Sequence, residues 1–443
     1  MKNRIAHIIG AGILLILSAC KEKLDIDPQQ AINSDELITD IASAKIAMNG
    51  LYSRLQDFYG STSLIIVDLA SDISDHIGPF PRWRDVDQNN TLPDGATADM
   101  WAEMYRTIYS ANLIIQLLSE ADDPSLEADK DRMIGEARFI RALNYFYLAN
   151  LFGEVPLITK PLDKLEEVNV PKVPASEVFA AILQDLQAAE SSVPASSDRK
   201  RVSKAAVNAL LSKVYLTLQN WEMASAKATL AIEDAAGAYK LETNYADLFN
   251  LNISSEAILQ LPFSATDQNV LAYHYWEKPG GRHEVAPSQE YVDSFSPDDL
   301  RAGASFGEAN DGTGSFFTKK YKDFGTGSDH PYVLRLVDVI LVKAEAEAEL
   351  GKYDLASTLI NQVRTRAGLP DVMLDASNYK DLILEERKLE LAFEGGNRWL
   401  DMLRTGLAEQ FVVAKGREAC KALFPIPRSE IDANSAIVQN PCY

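Results

Sequence analysis

The chain has few of the side chains that most often carry catalysis or bind metals. Among its 443 residues are three cysteines and five histidines. No CxxC pair occurs, no two histidines have the spacing of helical metal ligands, and neither a nucleophile elbow nor a phosphate-binding glycine loop is present. We therefore expect a protein that is not an enzyme and that has no metal site and no cofactor.

One acidic stretch comes close to the pattern of a cation site. Asp85, Asp87 and Asn89 have the alternate spacing that begins a calcium loop. The glycine expected at the sixth position of such a loop and the glutamate expected at the twelfth are missing. The pattern leaves calcium binding open without predicting it.

Positive charge is also scarce. The chain has 43 lysines and arginines against 64 aspartates and glutamates, which gives a formal net charge of −21. A surface this acidic repels the phosphates of nucleic acids and of anionic lipids. The composition therefore argues against nucleic acid as a partner.

Long apolar runs are missing everywhere except at the N-terminus. Lys2 and Arg4 precede an uncharged apolar run that ends in the letters "LILSAC", whose last residue is Cys20. This is the pattern of a secretory signal peptide, here over 1–19, and the run is shorter than the roughly 20 apolar residues that span a bilayer. Because "LSAC" resembles a bacterial lipobox, we predict lipidation of Cys20. The alternative is an ordinary signal peptide cut near a chance cysteine.

A lipid anchor would leave the rest of the chain outside the bilayer. Acyl chains contribute about 0.8 kcal/mol for each buried CH₂ group. Polar, proline-bearing residues over 20–34 predict a lipidated tether, followed by a folded body over 35–443. Loss of residues 1–19 removes two positive charges and moves the net charge from −21 to −23.

Apolar residues three and four positions apart predict amphipathic helices along most of the chain. The predicted helices span 37–58, 98–121, 129–152 and 176–192, the last with Ser176 as a candidate cap. Residues 72–96 are interrupted by glycines and prolines and are predicted as a long loop.

Two segments of the chain align with each other at a constant offset of 132 residues. Trp221 falls on Tyr353 and Ala224 on Ala356, within "VNALLSKVYLTLQNWEMASAKATLAI" and "ILVKAEAEAELGKYDLASTLINQVR". A helix, a tight turn and a second helix with small residues predict tetratricopeptide-like units, with a generic helical hairpin as the alternative.

These units divide the predicted body. We place them at about 130–235 and 335–394, and between them lies a loop-rich insertion at about 250–331 with a little strand. The predicted fold is therefore mostly α, a scaffold of helix pairs that carries an irregular lobe. Because loops on a rigid scaffold commonly make ligand contacts, we expect the lobe to bind ligand.

Five motifs give the chain a specific resemblance. They are "W-x3-Y-x2-I-x2-AN" from Trp101, "GEARFIRALNYFYLANLFGEVPLI", "AEAEAELGKYDLASTLINQVRTRAGL", "EERKLELAFEGGNRWLDMLRTG" and "FPIPRSEIDANSAIVQNPCY". In this order they resemble the SusD/RagB-type outer-membrane nutrient-binding lipoproteins, over nearly the whole span from Cys20 to Tyr443. The chain departs from the family at Cys442, where the family usually has the glycine of Gln-Asn-Pro-Gly-Tyr.

The resemblance implies capture of a nutrient. Members of the family sit on the outer leaflet, lipid-anchored and exposed at the cell surface, and cover a SusC-like TonB-dependent transporter. They bind oligosaccharides, or sometimes peptides, and deliver them to that partner. Two other readings of the sequence are a tetratricopeptide adaptor of the cell envelope and a lipid-anchored hydrolase. The adaptor reading expects contiguous repeats, which the 132-residue offset does not favour.

The remaining cysteines, Cys420 and Cys442, form an even pair in a chain predicted to be exported. The family's glycine at the second position makes the pair a candidate disulfide, which in a loop of this length contributes about 3 kcal/mol. Two unpaired thiols are the alternative.

Sugar binding needs flat aromatic faces together with polar side chains around the hydroxyls. Two loop clusters meet this need, in the regions from which the family draws its ligand contacts. The candidate contacts are Asp72, Asp75, His76, Trp83, Arg84, Asn89, Tyr273, Tyr275, Trp276, Arg282, Phe317 and Tyr321. We favour Trp83 and Trp276 among them, and only Asp72 matches a family motif position. For each aromatic the alternative is packing of its loop onto the scaffold.

Glu386, Glu390 and Glu394 are four residues apart and share one helical face. A glycosidase needs two carboxylates that face each other across an open cleft. We interpret these three instead as partners of buried ion pairs, with Arg138 or Arg141 as candidate cations.

Overall fold

The computed structural model of the protein describes residues 37–162, 169–234, 237, 239–250 and 253–443. The predicted signal peptide, the lipidation residue Cys20 and the whole tether over 20–34 lie outside these residues. Within the described chain, every helix is too short or too polar to cross a membrane.

Helices make up most of the first half of the described chain. They are α1 (Ile41–Gly60), α2 (Thr62–Leu69), α3 (Pro81–Asp87), α4 (Thr97–Glu120), α5 (Lys130–Phe152), α6 (Ala175–Ser192), α7 (Lys204–Thr217) and α8 (Trp221–Ile232). A 3₁₀ turn covers Pro124–Leu126, and the short strands are β1 (Ser74–His76), β2 (Val155–Pro156) and β3 (Lys172–Val173). Strands β2 and β3 pair in antiparallel register.

Local signals explain several of the helix ends, and two predictions at them are wrong. α1 begins after a capping box in which Asp40 and Ser43 each accept the other's backbone N–H. Ser176 does not cap α6, because Pro174 occupies the cap position and Ser176 lies inside the first turn. The region 72–96 is not a continuous loop, since α3 begins within it at Pro81, a residue whose fixed φ suits the first helical turn.

The second half contains the insertion and the rest of the scaffold. Its helices are α9 (Leu271–Tyr275), α10 (Gln289–Asp293), α11 (Ala302–Ser305), α12 (Leu336–Glu349), α13 (Tyr353–Arg366), α14 (Tyr379–Leu391), α15 (Asn397–Thr405), α16 (Leu407–Ala414) and α17 (Arg428–Ala433). Its strands are β4 (Ala257–Gln260), β5 (Val285–Pro287), β6 (Phe306–Glu308), β7 (Phe316–Thr318) and β8 (Tyr332–Arg335), with 3₁₀ turns at Tyr245–Phe249 and Ala419–Ala422.

Helices that follow one another pack side by side, from α4 through α8 and then directly onto α12 and α13. The two internally similar segments are therefore neighbours in space, although the insertion separates them along the chain. Their turns also match, because Gln219 and Gly351, 132 residues apart, both have left-handed backbone with φ of 56° and 75°. Small residues such as Ala224 and Ala228 are fully buried on α8 and let the helices approach closely.

The insertion enters and leaves the scaffold through a two-stranded base. β4 pairs with β8 in antiparallel register, with Ala257 opposite Arg335 and Gln260 opposite Tyr332. Strands β6 and β7 form a second small ladder within the insertion. One large apolar core runs through the scaffold and under the insertion, and a smaller core lies between α12, α13 and α14.

A buried ion network joins the insertion to the scaffold. Glu390 on α14 accepts hydrogen bonds from Arg335 at 2.8 Å and from Arg301 at 3.2 Å, and Arg366 completes its shell at 2.5 Å. Burial raises the pKa of Glu390, but the three cations outweigh that effect and hold the pKa below its usual value. Glu394 meets Lys320 at 2.8 Å.

The prediction that these glutamates form ion pairs is therefore correct in kind, but the predicted cations were wrong. Glu386 pairs with Arg301 at 2.5 Å, whereas Arg141 binds Asp185 at 2.6 Å. Arg301 belongs to the insertion. A sequence pattern read within one helix does not predict a partner from that distant part of the chain.

Candidate functional site

The two predicted ligand regions, far apart in the sequence, meet through a strand pair. β1 and β5 run antiparallel, with Asp75 opposite Ala286 and His76 opposite Val285. The backbone N–H of Ile77 extends the ladder by donating to the carbonyl oxygen of Glu284 at 3.0 Å. The early loop and the insertion therefore present one continuous surface.

A tight hairpin after α9 fixes the aromatic side of this surface. The N–H groups of Arg282 and Glu284 donate to the carbonyl oxygens of Tyr273 and His274, at 2.6 and 2.8 Å. Gly281 is required in the turn, because a Cβ there would lie 2.3 Å from the carbonyl oxygen of Trp276. These backbone hydrogen bonds, together with the packing of Trp276 on Phe317 at 4.8 Å, set the position of the exposed rings.

We call the exposed surface the aromatic shelf and define it by Phe80, Tyr273, Trp276, Arg282 and Phe324. Tyr273 is 43% exposed and Phe324 is 41% exposed, and the others are partly exposed. The ring centroids of Trp276 and Phe324 are 5.8 Å apart, and the guanidinium of Arg282 lies 4.8 Å from the centroid of Phe80. Rings that face water next to a charged donor suit the C–H face and the hydroxyls of a sugar.

Trp83 lies beneath the shelf, and its burial does not favour the predicted role as a ligand contact. Its side chain is 8% exposed and packs against His274, Phe80 and His76, with centroid separations of 4.9, 5.3 and 6.2 Å. The ring joins α3 to α9 and supports the shelf from below.

Both imidazoles under the shelf face the interior. The two nitrogens of His76 and Nδ1 of His274 are buried, and no described group hydrogen-bonds to them. Burial, together with the charge of Arg282, lowers the pKa of His274 to about 4. Burial and Arg84 likewise lower the pKa of His76. Both rings are therefore neutral near pH 7, and His76 does not present its nitrogens to a ligand.

The polar residues of the early loop divide between the rim and the interior. Asp75 and Arg84 are exposed. Asp72 instead forms a bidentate pair with Arg398 on α15, at 2.8 and 2.5 Å, and is largely buried. Asp72 therefore positions the loop, and its carboxylate is already occupied.

Comparison with known proteins identifies the fold and the family. A family model described as "Starch-binding associating with outer membrane" matches residues 21–216, and one described as "SusD family" matches residues 310–419. A SusD-like protein of Formosa agariphila is 28% identical over 91% of this chain and 90% of its own length. A SusD-like protein of Bacteroides ovatus is 26% identical over 91% and 82%.

Solved structures agree with the family models. A laminarin-binding SusD-like protein superposes with a TM-score of 0.83 at 25% identity, covering 92% of this chain and all of that one. A SusD superfamily protein from Bacteroides thetaiotaomicron superposes with a TM-score of 0.81 at 24% identity, covering 91% of this chain and 100% of its own, a likeness that concerns the fold alone. The chain belongs to the SusD/RagB family. The predicted family and the mostly helical SusD-like fold are confirmed.

This SusD-like chain buries four further residues predicted to touch ligand. The side-chain amide of Asn89 donates to the carbonyl oxygen of Ala70 at 2.9 Å. The hydroxyl of Tyr321 donates to the carbonyl oxygen of Phe393 at 2.8 Å. Tyr275 and Phe317 are also buried. Burial leaves little of these four side chains exposed for contact with a ligand.

Two residues of the site were missed at the level of sequence. Phe324 lies in "DFGTGSDH", a glycine-rich turn whose single aromatic was the available signal. Asp68 on α2 is buried and accepts a hydrogen bond from Tyr275 at 2.8 Å. Burial raises the pKa of Asp68 to about 7, although Tyr275 opposes the shift. No local pattern distinguishes Asp68 from an exposed helical aspartate.

The cysteine pair lies at the C-terminal end, away from the shelf residues. Cys420 and Cys442 are paired with their Cα atoms 6.0 Å apart, within the range that a disulfide spans. Cys442 has a left-handed φ of 76°, the conformation that the family's glycine adopts without cost.

Proposed function

We propose that this SusD-like protein binds oligosaccharides at the cell surface through the aromatic shelf and delivers them to a SusC-like TonB-dependent transporter. The observation that carries the proposal is the set of rings held toward water by the hairpin after α9. Because protein interiors normally take up such rings, their exposure on a backbone-fixed turn needs a ligand as its explanation.

The contacts fit a carbohydrate better than an apolar ligand. Tyr273, Trp276 and Phe324 offer ring faces, while Arg282 offers a hydrogen-bond donor. Arg282 keeps its Nε on Glu284 at 2.7 Å, so its terminal nitrogens are directed by a fixed partner. A structural neighbour is a laminarin-binding SusD-like protein, which supports a glycan as the ligand.

Anchoring and partner follow from the family and from the N-terminal sequence. We propose that Cys20 is diacylated, that the tether over 20–34 leads to the body, and that the protein stands on the outer leaflet beside its transporter. The description "associating with outer membrane" in the matching family model supports this location. Globomycin-sensitive processing and labelling with a fatty-acid analogue, both lost in Cys20→Ala, would test the anchor.

We propose binding without turnover. Glu390, the central carboxylate of the buried network, is enclosed by Arg301, Arg335 and Arg366 and has no access to a sugar. The protein should therefore return an oligosaccharide ligand unchanged after prolonged incubation.

A glycan array that includes laminarin tests the proposal directly. We expect binding to at least one glycan, and Tyr273→Ala and Trp276→Ala should each weaken it about tenfold, or 1.4 kcal/mol. Met373→Ala, an exposed apolar residue between α13 and α14, is the matched control and should leave affinity unchanged. Full affinity in both shelf variants would refute the site, and binding of peptides alone would refute the ligand class.

Copurification distinguishes this function from that of a tetratricopeptide adaptor. A nutrient-delivery protein should copurify with a TonB-dependent barrel from detergent-solubilised outer membranes. An adaptor would bring down envelope proteins whose capture does not change when the shelf is altered.

A further inference from the structure

A second cavity lies outside the aromatic shelf and shares none of its residues. It has a volume of about 390 Å³ and lies between α4, the segment after β2 and the C-terminal helix α17. Its lining residues are Trp101, Tyr105, Ile108, Tyr109, Pro156, Ile158, Leu162, Val170, Glu430, Ala433, Asn434 and Ile437. We call it the α4 cavity. Its volume falls in the range of small-ligand sites.

One wall of the α4 cavity is a row of rings. Trp101, Tyr105 and Tyr109 are four residues apart and therefore lie on one face of α4. Trp101 and Tyr105 are 4.9 Å apart between centroids, and Tyr109 is 50% exposed. The wall thus runs from a buried ring to one that is half open to water.

The opposite wall supplies a carboxylate that can accept hydrogen bonds. Glu430 on α17 is partly exposed and lines the cavity. Its charge reaches the rings, since burial, with Tyr145 and Glu430 adding to it, raises the pKa of Tyr105 well above its usual value. The hydroxyl of Tyr105 therefore stays a donor, and it is bound to the carbonyl oxygen of Pro156 at 2.7 Å.

Hydrogen bonds hold both walls in place before any ligand arrives. Asn434 donates to the carbonyl oxygen of Val170 at 2.8 Å, and the N–H of Arg428 donates to that of Pro93 at 3.1 Å. The side-chain amide of Gln439 accepts a hydrogen bond from the N–H of Ile426 and donates one to its carbonyl oxygen, both at 2.8 Å. A preformed cavity loses little entropy when it takes a ligand.

We infer that the α4 cavity is a second sugar-binding site, for a neutral pyranose unit that stacks on Tyr109 and donates hydroxyls to Glu430. An apolar ligand would bury the Glu430 carboxylate without a partner, which costs free energy. An anion would meet that carboxylate in a chain of net charge −21. A neutral sugar satisfies both the rings and the carboxylate. The inference rests on the proposed function for its ligand class, and on separate residues for its location.

Fluorine NMR can observe the two sites separately. The chain has five tryptophans, of which Trp101 lines the α4 cavity, Trp276 lies on the shelf and Trp221 begins α8. With 5-fluorotryptophan incorporated, and each signal assigned by a Trp→Phe variant, the full-length mature chain can be titrated with laminaritriose, maltotriose, cellotriose and xylotriose. Concentrations up to about 10 mM detect weak binding.

We expect at least one trisaccharide to shift the Trp101 signal while Trp221 stays fixed. Tyr109→Ala and Glu430→Gln should each weaken that response at least about tenfold, and the Trp276 response should persist in both variants. Glu177→Gln, in the exposed first turn of α6, is the matched control and should change neither signal.

Three results would overturn the inference. They are the absence of a Trp101 shift with every trisaccharide, a shift with choline but with no sugar, and a sugar-induced shift that both variants leave unchanged. A Trp276 response without a Trp101 response would retain the proposed function and reject the second site. The reverse pattern would retain the second site and reject the shelf.

Discussion

The helical scaffold and the insertion of this SusD-like protein are stabilised in different ways. In the scaffold, α8 and α12 bury contiguous small and apolar side chains, such as Ala228 and Leu341. The insertion has short strands and little regular structure, and it is joined to the scaffold through the charges of Arg301, Lys320 and Arg335. The insertion also packs apolar side chains such as Tyr275 and Tyr321 onto the large core, so buried charge adds to apolar contact at this boundary.

The largest expected effect comes from breaking the ion network at the base of the insertion. Arg335→Ala leaves Glu390 and Glu394 short of a buried partner and should lower the free energy of unfolding by about 3–5 kcal/mol. Arg54→Ala breaks an exposed pair with Asp57, whose side chains are 51% and 49% exposed, and should cost less than about 1 kcal/mol.

Urea denaturation of the wild type and of three variants, Arg335→Ala, Arg54→Ala and Arg335→Lys, measures this difference. Arg335→Lys keeps the charge but loses the branched donor, so its midpoint should fall between those of the wild type and Arg335→Ala. Equal losses in Arg335→Ala and Arg54→Ala would contradict the view that charge joins the two regions.

Asp68 lies at the same boundary between the scaffold and the insertion, and its carboxylate has no bonded cation among the described residues. Its contribution to the free energy of unfolding therefore depends on pH. The pKa of Asp68 rises from 3.8 to about 7 through burial. Its contribution to stability is therefore fully present below pH 3.8 and is lost as pH rises through about 7. As pH rises between these limits, the free energy of unfolding of the wild type should fall by up to about 4 kcal/mol. The Asp68→Asn variant should not show this fall.

Unfolding free energies at pH 4, 5.5 and 7.5 for the wild type and Asp68→Asn would measure the effect. Tyr275→Phe removes the hydrogen bond that opposes the shift, so its pH dependence should extend to higher pH. Parallel pH profiles for the wild type and Asp68→Asn would mean that Asp68 is ionised in the fold.

The C-terminal segment offers a third kind of stabilisation, a covalent one. Cys420→Ser opens a bridge with a sequence separation of 22 residues and should cost about 3 kcal/mol. Cys442→Gly opens the same bridge, but glycine adopts the left-handed φ at this position without strain. Its loss of unfolding free energy should therefore be about 1 kcal/mol smaller than that of Cys420→Ser.

Thermal unfolding under non-reducing conditions compares the two variants, and intact mass of the wild type before and after reduction reports the bridge. Wild-type stability that does not change with reductant would favour two free thiols.

The smallest expected effect is on glycan affinity, and it distinguishes a residue on the shelf, Phe324, from one beneath it, Trp83. Phe324→Ala should weaken glycan binding by about 1 kcal/mol, with little change in unfolding free energy, because the ring is partly in water. Trp83→Phe keeps a ring in the buried position and should leave affinity unchanged. Calorimetry with the glycan from the array measures the affinity of both variants. A larger affinity loss in Trp83→Phe than in Phe324→Ala would indicate that Trp83 contacts the ligand.

The helical part of the fold was predictable from sequence because helix periodicity is a local signal. The region 129–152 was predicted as a helix, and α5 covers Lys130–Phe152. The internal match between Trp221 and Tyr353 likewise corresponds to the starts of α8 and α13. Each of these features depends on residues within a few turns of one another.

The site was less predictable because exposure depends on contacts distant in sequence. Trp83 and Trp276 have similar loop contexts, yet His274 and Phe80 cover the first, whereas the second packs on Phe324 at the surface. The pairing of β1 with β5 decides which rings remain in water, and no pattern in either strand indicates its partner.

The paired strands at the base of the insertion have an evolutionary consequence. Because β4 and β8 lie side by side, the stretch between them begins and ends at one place on the helical stack. The entropic cost of closing a loop grows slowly with its length, by about 0.6 kcal/mol for each doubling. That stretch can therefore be lengthened, shortened or replaced in evolution while the helical stack that carries it stays the same.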